Sequence, residues 1–459
     1  MQTECSTELF EFAPVEKKPV VASFDGGRIT SDSGGLLLGR TDRKLGLTRR
    51  LAGCFTDVRD RRMVEHEVET LLKQRIFGIA LGYEDLNDHD EWRHDPVLAA
   101  MIGKLEAKRK DCAAAAGKST LNRLELSLSE PSRYHKIAHD GAAIENLFID
   151  LFLESRAQPP GEIILDLDAT DDPVHGKQEG RFFHGYYDSY CYLPLYIFCG
   201  DQLLASKLQP ANIDASAGTV EELDRIVPRI RACWPQTRIV IRADSGFQRE
   251  EIMKWCESNG VHYVLGVAKN KRLVREIERE LAEAKEESEA SGQPARRFRE
   301  FMWTTRQSWS RRRRVIGKAE WTGGEANPRF IVTSLTEAEG YGGGRALYEE
   351  TYCARGEMEN RIKECQLDLF ADRTSTATLR ANQLRLWLAS MAYVLVESLR
   401  RLALSSTRLS QATCGTIRRK LFKIGALVTV SVRRIKIACA SACPYKDVFA
   451  AAYAALDSC

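Results

Sequence analysis

Apolar residues recur with two different periods along the chain. Between residues 64 and 81 the apolar positions have helical spacing, as at Val68, Leu71, Leu72 and Ile76. This spacing predicts a helix. Between residues 20 and 38, two short apolar runs flank two pairs of glycines, a pattern typical of a hairpin. Residues 1–155 are therefore predicted to form a mainly helical N-terminal domain that carries one hairpin.

The period changes after a proline-containing linker near residue 160. Residues 162–168 form a short apolar run that ends in acids, and segments rich in aromatic and β-branched residues continue to about residue 210. Helical and strand patterns then alternate up to residue 268. Adjacent strands followed by such alternation indicate an α/β domain, with a mixed sheet and helices on its faces. We place this domain at residues 160–398, with a β-rich insertion at about 271–346.

The last segment, residues 399–459, is predicted to be helical and basic. Between Ser398 and Tyr445 there are ten Arg or Lys residues and no Asp or Glu. A solvated helix face explains part of this charge, and contacts with phosphate are the alternative.

Composition excludes several classes of protein. The chain has 459 residues, of which 44% are hydrophobic, and 67 Lys and Arg balance 64 Asp and Glu, so global disorder is excluded. The longest apolar stretch, residues 384–399, is too short to span a membrane and contains Arg385 and Glu397. The first 25 residues carry no secretory pattern, which favours a cytoplasmic location without membrane contact. Thirteen cysteines without a CxxC pair favour reduced thiols over disulfides.

Two predicted strands end in carboxylates. Asp166 and Asp168 end the strand at 162–168, and Asp244 ends the strand that contains Arg242. Strand ends are where α/β folds commonly place ligands, and carboxylate oxygens suit Mg²⁺ or Mn²⁺. The sequence thus predicts a shared acidic site that one further acid would complete.

A helical segment near residue 355 offers that acid. Glu357, Glu359 and Glu364 compete for the role. Glu359 is favoured because Tyr352, Arg355 and Lys363 share its helix face at spacings of three or four residues. A solvated face stitched by ion pairs is the alternative for this motif alone.

Together these motifs resemble the bacterial insertion-sequence transposases that carry a DDE catalytic triad on an RNase H-like fold, in the group with a Tyr-Arg-Glu signature. The resemblance is carried by DAT at Asp168, ADSGF at Asp244 and Tyr-x2-Arg-x3-Glu ending at Glu359. In one departure, Gln366 stands where the family usually has Lys. Lys363, one turn earlier, is the alternative source of that charge.

The resemblance implies a function. Asp168, Asp244 and Glu359 would be catalytic and would hold two Mg²⁺ or Mn²⁺ ions for strand cleavage and strand transfer at terminal inverted repeats, which is cut-and-paste DNA transposition. The partners would be double-stranded DNA of the element ends and of the target, together with a second copy of the chain in a homodimer. The N-terminal domain would serve DNA binding or dimerisation, and the protein would be associated with the nucleoid.

A second basic segment independently predicts contact with nucleic acid. Residues 296–318 contain nine Arg or Lys residues and one acid, interleaved with tryptophan. Phosphate neutralisation combined with base stacking is typical of nucleic-acid surfaces. The predicted DNA or phosphate contacts are Tyr352, Arg355, Lys363, Arg311, Arg312, Arg313, Arg314 and Trp309. Trp303, Trp309 and Trp321 are each candidates to stack on a flipped base, although tryptophan more often lies in a core.

Two other functions remain open from the sequence. One is an RNase H-like nuclease that cuts DNA without joining it. The other is a DNA-binding protein derived from a transposase that has lost catalysis, although all three acids are present.

Overall fold

The computed structural model describes residues 9–337 and 340–457. The chain divides into two compact units, one made of residues up to His139 and from Met391 onward, the other of Asp140–Ser390. These units group the residues differently from the three domains at 1–155, 160–398 and 399–459, which stay a prediction.

The regular elements are as follows. The strands are β1 (Phe10–Val15), β2 (Lys18–Ala22), β3 (Ile29–Thr30), β4 (Phe55–Asp57), β5 (Ile137–His139), β6 (Glu162–Ala169), β7 (Asp172–Pro173), β8 (Phe182–His184), β9 (Ser189–Tyr192), β10 (Leu195–Cys199), β11 (Gln202–Lys207), β12 (Arg238–Ala243), β13 (His262–Val267), β14 (Ala295–Trp303), β15 (Arg313–Thr322), β16 (Glu325–Ala326), β17 (Arg329–Thr333), β18 (Ala426–Val430) and β19 (Ile435–Cys439). The α-helices are α1 (Leu36–Leu45), α2 (Leu47–Ala52), α3 (Val68–Leu81), α4 (Asp88–Trp92), α5 (Pro96–Ile102), α6 (Lys118–Glu125), α7 (Gly141–Glu154), α8 (Thr219–Cys233), α9 (Glu250–Ser258), α10 (Lys271–Glu276), α11 (Glu278–Ser291), α12 (Gly344–Ala346), α13 (Gly356–Lys363), α14 (Leu379–Leu399), α15 (Cys414–Ile417) and α16 (Lys446–Asp457).

The unit at Asp140–Ser390 is built on one large mixed sheet. Its strands lie in the order β11-β10-β6-β12-β13-β17-β15-β14, with β16 paired to β15. Strands β6, β12 and β13 are parallel, and the remaining pairs on this path are antiparallel. The predicted α/β class with a mixed sheet is therefore confirmed. Strands β14, β15 and β17, from the predicted insertion, extend this same sheet.

The two faces of β6 pack against different layers. Ile163, Leu165 and Leu167 belong to the larger core, which includes residues of α7, α8 and α9. Ile164, on the opposite face, packs against a smaller cluster that contains Leu347 and Tyr348. Because side chains alternate along a strand, Asp166 and Asp168 share the face of Ile164. The acids therefore lie on the side of the sheet covered by the segment that starts near residue 344.

In the other compact unit, the helix predicted from residues 64–81 is confirmed as α3. The hairpin predicted between residues 20 and 38 is wrong: β2 pairs with β1, β3 pairs with β18, and Leu36 begins α1. The glycine pair at Gly34 serves a close contact, because an added Cβ there would lie 1.8 Å from the Leu421 carbonyl oxygen. A contact with a residue distant in sequence decided this local structure.

The C-terminal prediction is correct only in part. Strands β18 and β19 form an antiparallel hairpin inside the segment predicted to be wholly helical. Their β-branched residues stabilise a strand more than the charge pattern stabilises a helix.

Among the described residues, no helix has both the length and the apolar character needed to span a membrane. The cysteines among the described residues form no disulfide bond, and the reduced state stays a prediction.

Candidate active site

Asp168 and Asp244 lie at the carboxyl ends of two neighbouring central strands of the sheet. Strands β6 and β12 are parallel neighbours, and Leu167 and Ala243, the residues directly before the two aspartates, are paired in register. Asp244 lies at the start of a tight turn, where its carboxylate accepts a hydrogen bond from the backbone N–H of Gly246 at 2.7 Å. The sequence prediction that two strand ends bring carboxylates together agrees with this register.

Glu359 lies on an irregular helical segment that faces this edge. Helix α12 continues through a π-helical turn (Leu347–Tyr352), a 3₁₀ turn (Cys353–Arg355), helix α13 and a second π-helical turn (Glu364–Asp368). Departures from the α-helical hydrogen-bond pattern are frequent at functional sites. The helix predicted around Glu359 is confirmed as α13, and the turns on either side of it depart from the α-helical pattern.

Arg355 connects two of the three acids. Its Nη1 donates to Asp168 Oδ2 at 3.3 Å, and its Nη2 donates to Glu359 Oε1 at 2.9 Å. The second contact spans one helical turn. Glu359 remains 46% exposed, whereas Asp168 is 17% exposed. The same guanidinium thus contacts a partly buried strand-end acid and a more exposed helix acid.

The pKa of Asp168 depends on its burial and on the charges around it. Burial raises the pKa of Asp168 to about 7; the charges of Asp244 and Glu359 raise it as well, whereas Arg355 opposes the shift. Like charges that converge in a desolvated place disfavour ionisation of each other. Asp168 therefore interacts electrostatically with both Asp244 and Glu359.

Tyr352 packs tightly beside Asp244. Burial raises the pKa of the Tyr352 phenol, and the charge of Asp244 contributes to that rise. A Cβ added to Gly266 on β13 would lie 2.6 Å from the Tyr352 hydroxyl oxygen and 2.8 Å from the Ser245 nitrogen. Only glycine at this position lets the tyrosine reach the turn that carries Asp244.

Asp166 is engaged elsewhere, by an arginine that the sequence prediction did not use. Both carboxylate oxygens of Asp166 accept hydrogen bonds from Arg242, its register partner on β12. Arg242 also donates through Nη1 to the Thr351 carbonyl oxygen, directly before Tyr352. A buried cation within an apolar strand was the available signal. Arg242 binds the helical segment to the sheet next to the acids.

The two residues discussed for the missing lysine have different positions. Lys363 is exposed and makes no ion pair in the described part of the chain. The Gln366 amide donates at 2.8 Å to the Asp171 carbonyl oxygen, in the loop after β6. Gln366 thus anchors the end of the helical segment, and Lys363 keeps its charge available.

The arginine run, residues Arg311–Arg314, is mostly paired with acids of the same unit. Arg313 is 2% exposed and donates to both Glu250 and Glu257. Arg311 binds Glu257 at 2.7 Å, and Arg314 binds Glu300. Arg312 is exposed and donates to the Met302 carbonyl oxygen at 2.7 Å.

Trp309 lies in the core beside the arginine run. It is 7% exposed and meets Trp303 edge to face, with ring centroids 5.2 Å apart. The guanidinium of Arg313 lies 5.6 Å from the centroid of its ring. The DNA contacts predicted for Trp309 and the arginine run stay predictions, and packing accounts for the tryptophan.

The donor set at the site suits a divalent cation by its chemistry. Asp168, Asp244 and Glu359 carry hard carboxylate oxygens. A bound cation would stabilise the ionised form of Asp168, which burial and the neighbouring acids disfavour. Within residues 9–337 and 340–457, no three His, Cys, Asp or Glu side chains are close enough together to hold a metal ion. In this arrangement Arg355 provides the positive charge between Asp168 and Glu359.

Comparison with known proteins adds to this geometry. The chain is similar to the piggyBac transposase, as seen by cryo-EM in a synaptic complex with hairpin DNA, with 11% identity and a TM-score of 0.42 over 86% of this chain and 80% of that chain. No curated protein sequence matches it. The family model described as transposase DDE domain group 1 matches residues 12–459. Because that match covers nearly the whole length, the chain belongs to the group 1 family of transposase DDE domains.

Proposed function

We propose that this transposase cleaves and joins DNA strands at the terminal inverted repeats of an insertion sequence, by cut-and-paste transposition on an RNase H-like catalytic core. The observation that carries the proposal is the joint position of Asp168, Asp244 and Glu359. Two come from adjacent parallel strand ends, and Arg355 ties the third to the first. The partners are double-stranded DNA of the element ends and the target, and a second copy of the chain in a homodimer on the DNA.

In this proposal the three carboxylates hold Mg²⁺ or Mn²⁺. When bound, a pair of such ions would supply Lewis-acid activation of a water or 3′-hydroxyl nucleophile and charge stabilisation of the leaving oxygen in phosphoryl transfer. Arg355 orients Asp168 and Glu359 by its two hydrogen bonds, and Arg242 holds the helical segment through the Thr351 carbonyl. Tyr352 closes one side of the site against the turn at Asp244.

The DNA backbone would be bound beside the acids. Tyr352, Arg355 and Lys363 are the proposed phosphate contacts, Lys363 because its charge is exposed and unpaired among the described residues. Within the arginine run, Arg312 is likewise exposed and has no ion pair among the described residues. We therefore propose Arg312 as the DNA contact of this run. The acids bound to Arg311, Arg313 and Arg314 already neutralise those side chains.

A cleavage assay tests the proposal. The purified chain with Mg²⁺ or Mn²⁺ is expected to nick DNA that carries the terminal repeats of its own element. Asp168→Ala, Asp244→Ala and Glu359→Ala are each expected to lower the cleavage rate by at least about a thousandfold while DNA binding persists. Glu357→Ala is the matched control, because Glu357 is an exposed acid two residues before Glu359. It is expected to cleave at nearly the unaltered rate.

Two results would contradict the proposal. Cleavage that survives in all three acid variants would remove these residues from the chemistry. Cleavage without strand-transfer products, even with a target duplex present, would identify a nuclease that cannot join.

A further inference from the structure

A basic pocket lies in the compact unit that contains the N-terminal residues, whereas Asp168, Asp244 and Glu359 belong to the other unit. The cavity has a volume of about 410 Å³ and lies between α6, the loop that precedes β5, and Arg59 after β4. Arg123, Arg133 and Lys136 contribute cations to its lining, and Tyr134 contributes an aromatic ring. Among the described residues that line it, none is an acid.

Four cations line the basic pocket, and three of them are available to a ligand, since the fourth, Arg59, binds Asp57. Arg123, Arg133 and Lys136 are exposed, and none has an ion pair in the described part of the chain. Acids near the pocket already have partners, since Asp57 binds Arg59 at 2.7 Å and Asp60 binds Arg62 at 2.8 Å. Hydrogen bonds from Arg62 and the charge of Lys136 lower the pKa of Asp60, so the protein compensates part of the Lys136 charge, whereas Arg123 and Arg133 have no ion pair among the described residues.

The loop that carries these residues is held in a defined shape. The backbone N–H of Ser132 donates to the His135 carbonyl oxygen at 2.7 Å, and the His135 N–H donates to Ser132 Oγ at 3.0 Å. The Lys136 carbonyl oxygen accepts from the Val58 N–H at 3.0 Å, which joins the loop to the strand that leads to Arg59. A shaped loop reduces the entropy lost when a ligand is bound.

Tyr134 is the least expected residue of the pocket. Its side chain is 83% exposed, and the guanidinium of Arg133 lies 5.7 Å from the ring centroid. An exposed aromatic residue flanked by unpaired cations combines stacking on a base or sugar with phosphate neutralisation. Core packing does not explain a ring in this position.

We propose that the basic pocket binds the phosphodiester backbone of DNA, with Arg123, Arg133 and Lys136 on phosphates and Tyr134 against an adjacent unpaired base. The inference rests on the proposed function in taking DNA as the polymer. The basic pocket is remote in sequence from the acids. It contributes to DNA affinity and takes no part in strand cleavage or joining.

The test compares two triple variants of the full chain, without metal, by fluorescence anisotropy on a labelled terminal-repeat duplex. R123A/R133A/K136A removes the pocket cations, and K108A/R109A/K110A removes three exposed cations of the same unit outside the pocket. The pocket variant is expected to bind at least about tenfold more weakly at moderate salt. Its slope of log affinity against log salt should fall by about 2.7, because each duplex phosphate contact contributes about 0.9. The control variant is expected to keep the slope of the unaltered chain.

Tyr134→Ala tests the aromatic contact separately. It is expected to weaken binding to a single strand by about tenfold, because base stacking is lost, and to change blunt-duplex binding by less than about twofold. Melting temperatures of all variants should stay near that of the unaltered chain, since every altered side chain is exposed.

Distinct results overturn this inference without touching the proposed function. Equal losses in the two triple variants would show a general charge effect. Inorganic phosphate that competes at the pocket, combined with unchanged DNA affinity in the pocket variant, would show a site for the free anion only. Conversely, DNA binding that depends on the pocket in a chain that never cleaves would uphold the pocket and reject the proposed function.

Discussion

Two arginine-rich regions of this transposase differ in whether the protein itself neutralises their charge. The arginine run is the densest basic stretch of the sequence, yet Arg311, Arg313 and Arg314 each bind an acid. The basic pocket has no comparable run, yet Arg123, Arg133 and Lys136 are exposed and unpaired in the described structure. Charge density along a chain therefore does not reveal which charges are free to bind a polyanion.

The largest expected difference between the two regions concerns stability. Arg313→Ala would remove the buried cation that Glu250 and Glu257 share. Because both acids are partly exposed and Glu257 keeps its ion pair with Arg311, we expect a loss of about 1–3 kcal/mol. Urea unfolding should show that loss of unfolding free energy. Arg312→Ala is the matched control, because Arg312 is exposed and, among the described residues, donates only to the Met302 carbonyl oxygen. A loss under about 1 kcal/mol for Arg313→Ala would mean that its ion pairs are not structural.

The pH dependence of unfolding tests the ion pairs of Arg313 further. Although burial alone would raise them, hydrogen bonds from Arg313 help lower the pKa values of Glu250 and Glu257 below the ordinary 4.5. Acids with a lowered folded-state pKa contribute stability above their unfolded-state pKa and lose it as the pH falls through the folded-state value. The gap in unfolding free energy between the unaltered chain and Arg313→Ala should therefore be full at neutral pH and narrow below about pH 4.5. A gap that is constant from neutral to acidic pH would contradict this.

The smallest expected effect belongs to the basic pocket. Arg123→Ala removes an exposed side chain that has no ion pair among the described residues, so its unfolding free energy should change by no more than about 0.5 kcal/mol. Chemical denaturation checks this value across the same pH range, in which no trend is expected. A loss comparable with that of Arg313→Ala would erase the distinction between the two regions.

Much of the candidate site could be predicted from local sequence. A short apolar run predicts a strand, and an acid that follows the run lies at the end of that strand. This local pattern is sufficient to predict the positions of Asp168 and Asp244. The i to i+4 spacing of Arg355 and Glu359 predicted their contact, which measures 2.9 Å. The link from Arg355 to Asp168 could not be predicted in this way, because 187 residues separate the pair.

The errors have a common cause. The glycines near residue 34 were interpreted as a turn, but Gly34 packs against the Leu421 backbone, and β3 pairs with β18. The sequence predicts for Arg242 only a place in the strand that ends at Asp244, yet Arg242 binds Asp166 and the Thr351 carbonyl oxygen. In each case the deciding partner is distant in sequence, where no periodicity or spacing can identify it.

The sequence by itself determined the features that depend on neighbouring residues: the strands and their terminal acids, most helices, the α/β class and the family motifs. These follow from backbone periodicity, which acts over a few residues. Only the tertiary structure decided which charges are paired, because ionic contacts depend on distances that folding sets. It buried Arg313 among acids, left Lys136 exposed, and placed Arg355 between Asp168 and Glu359.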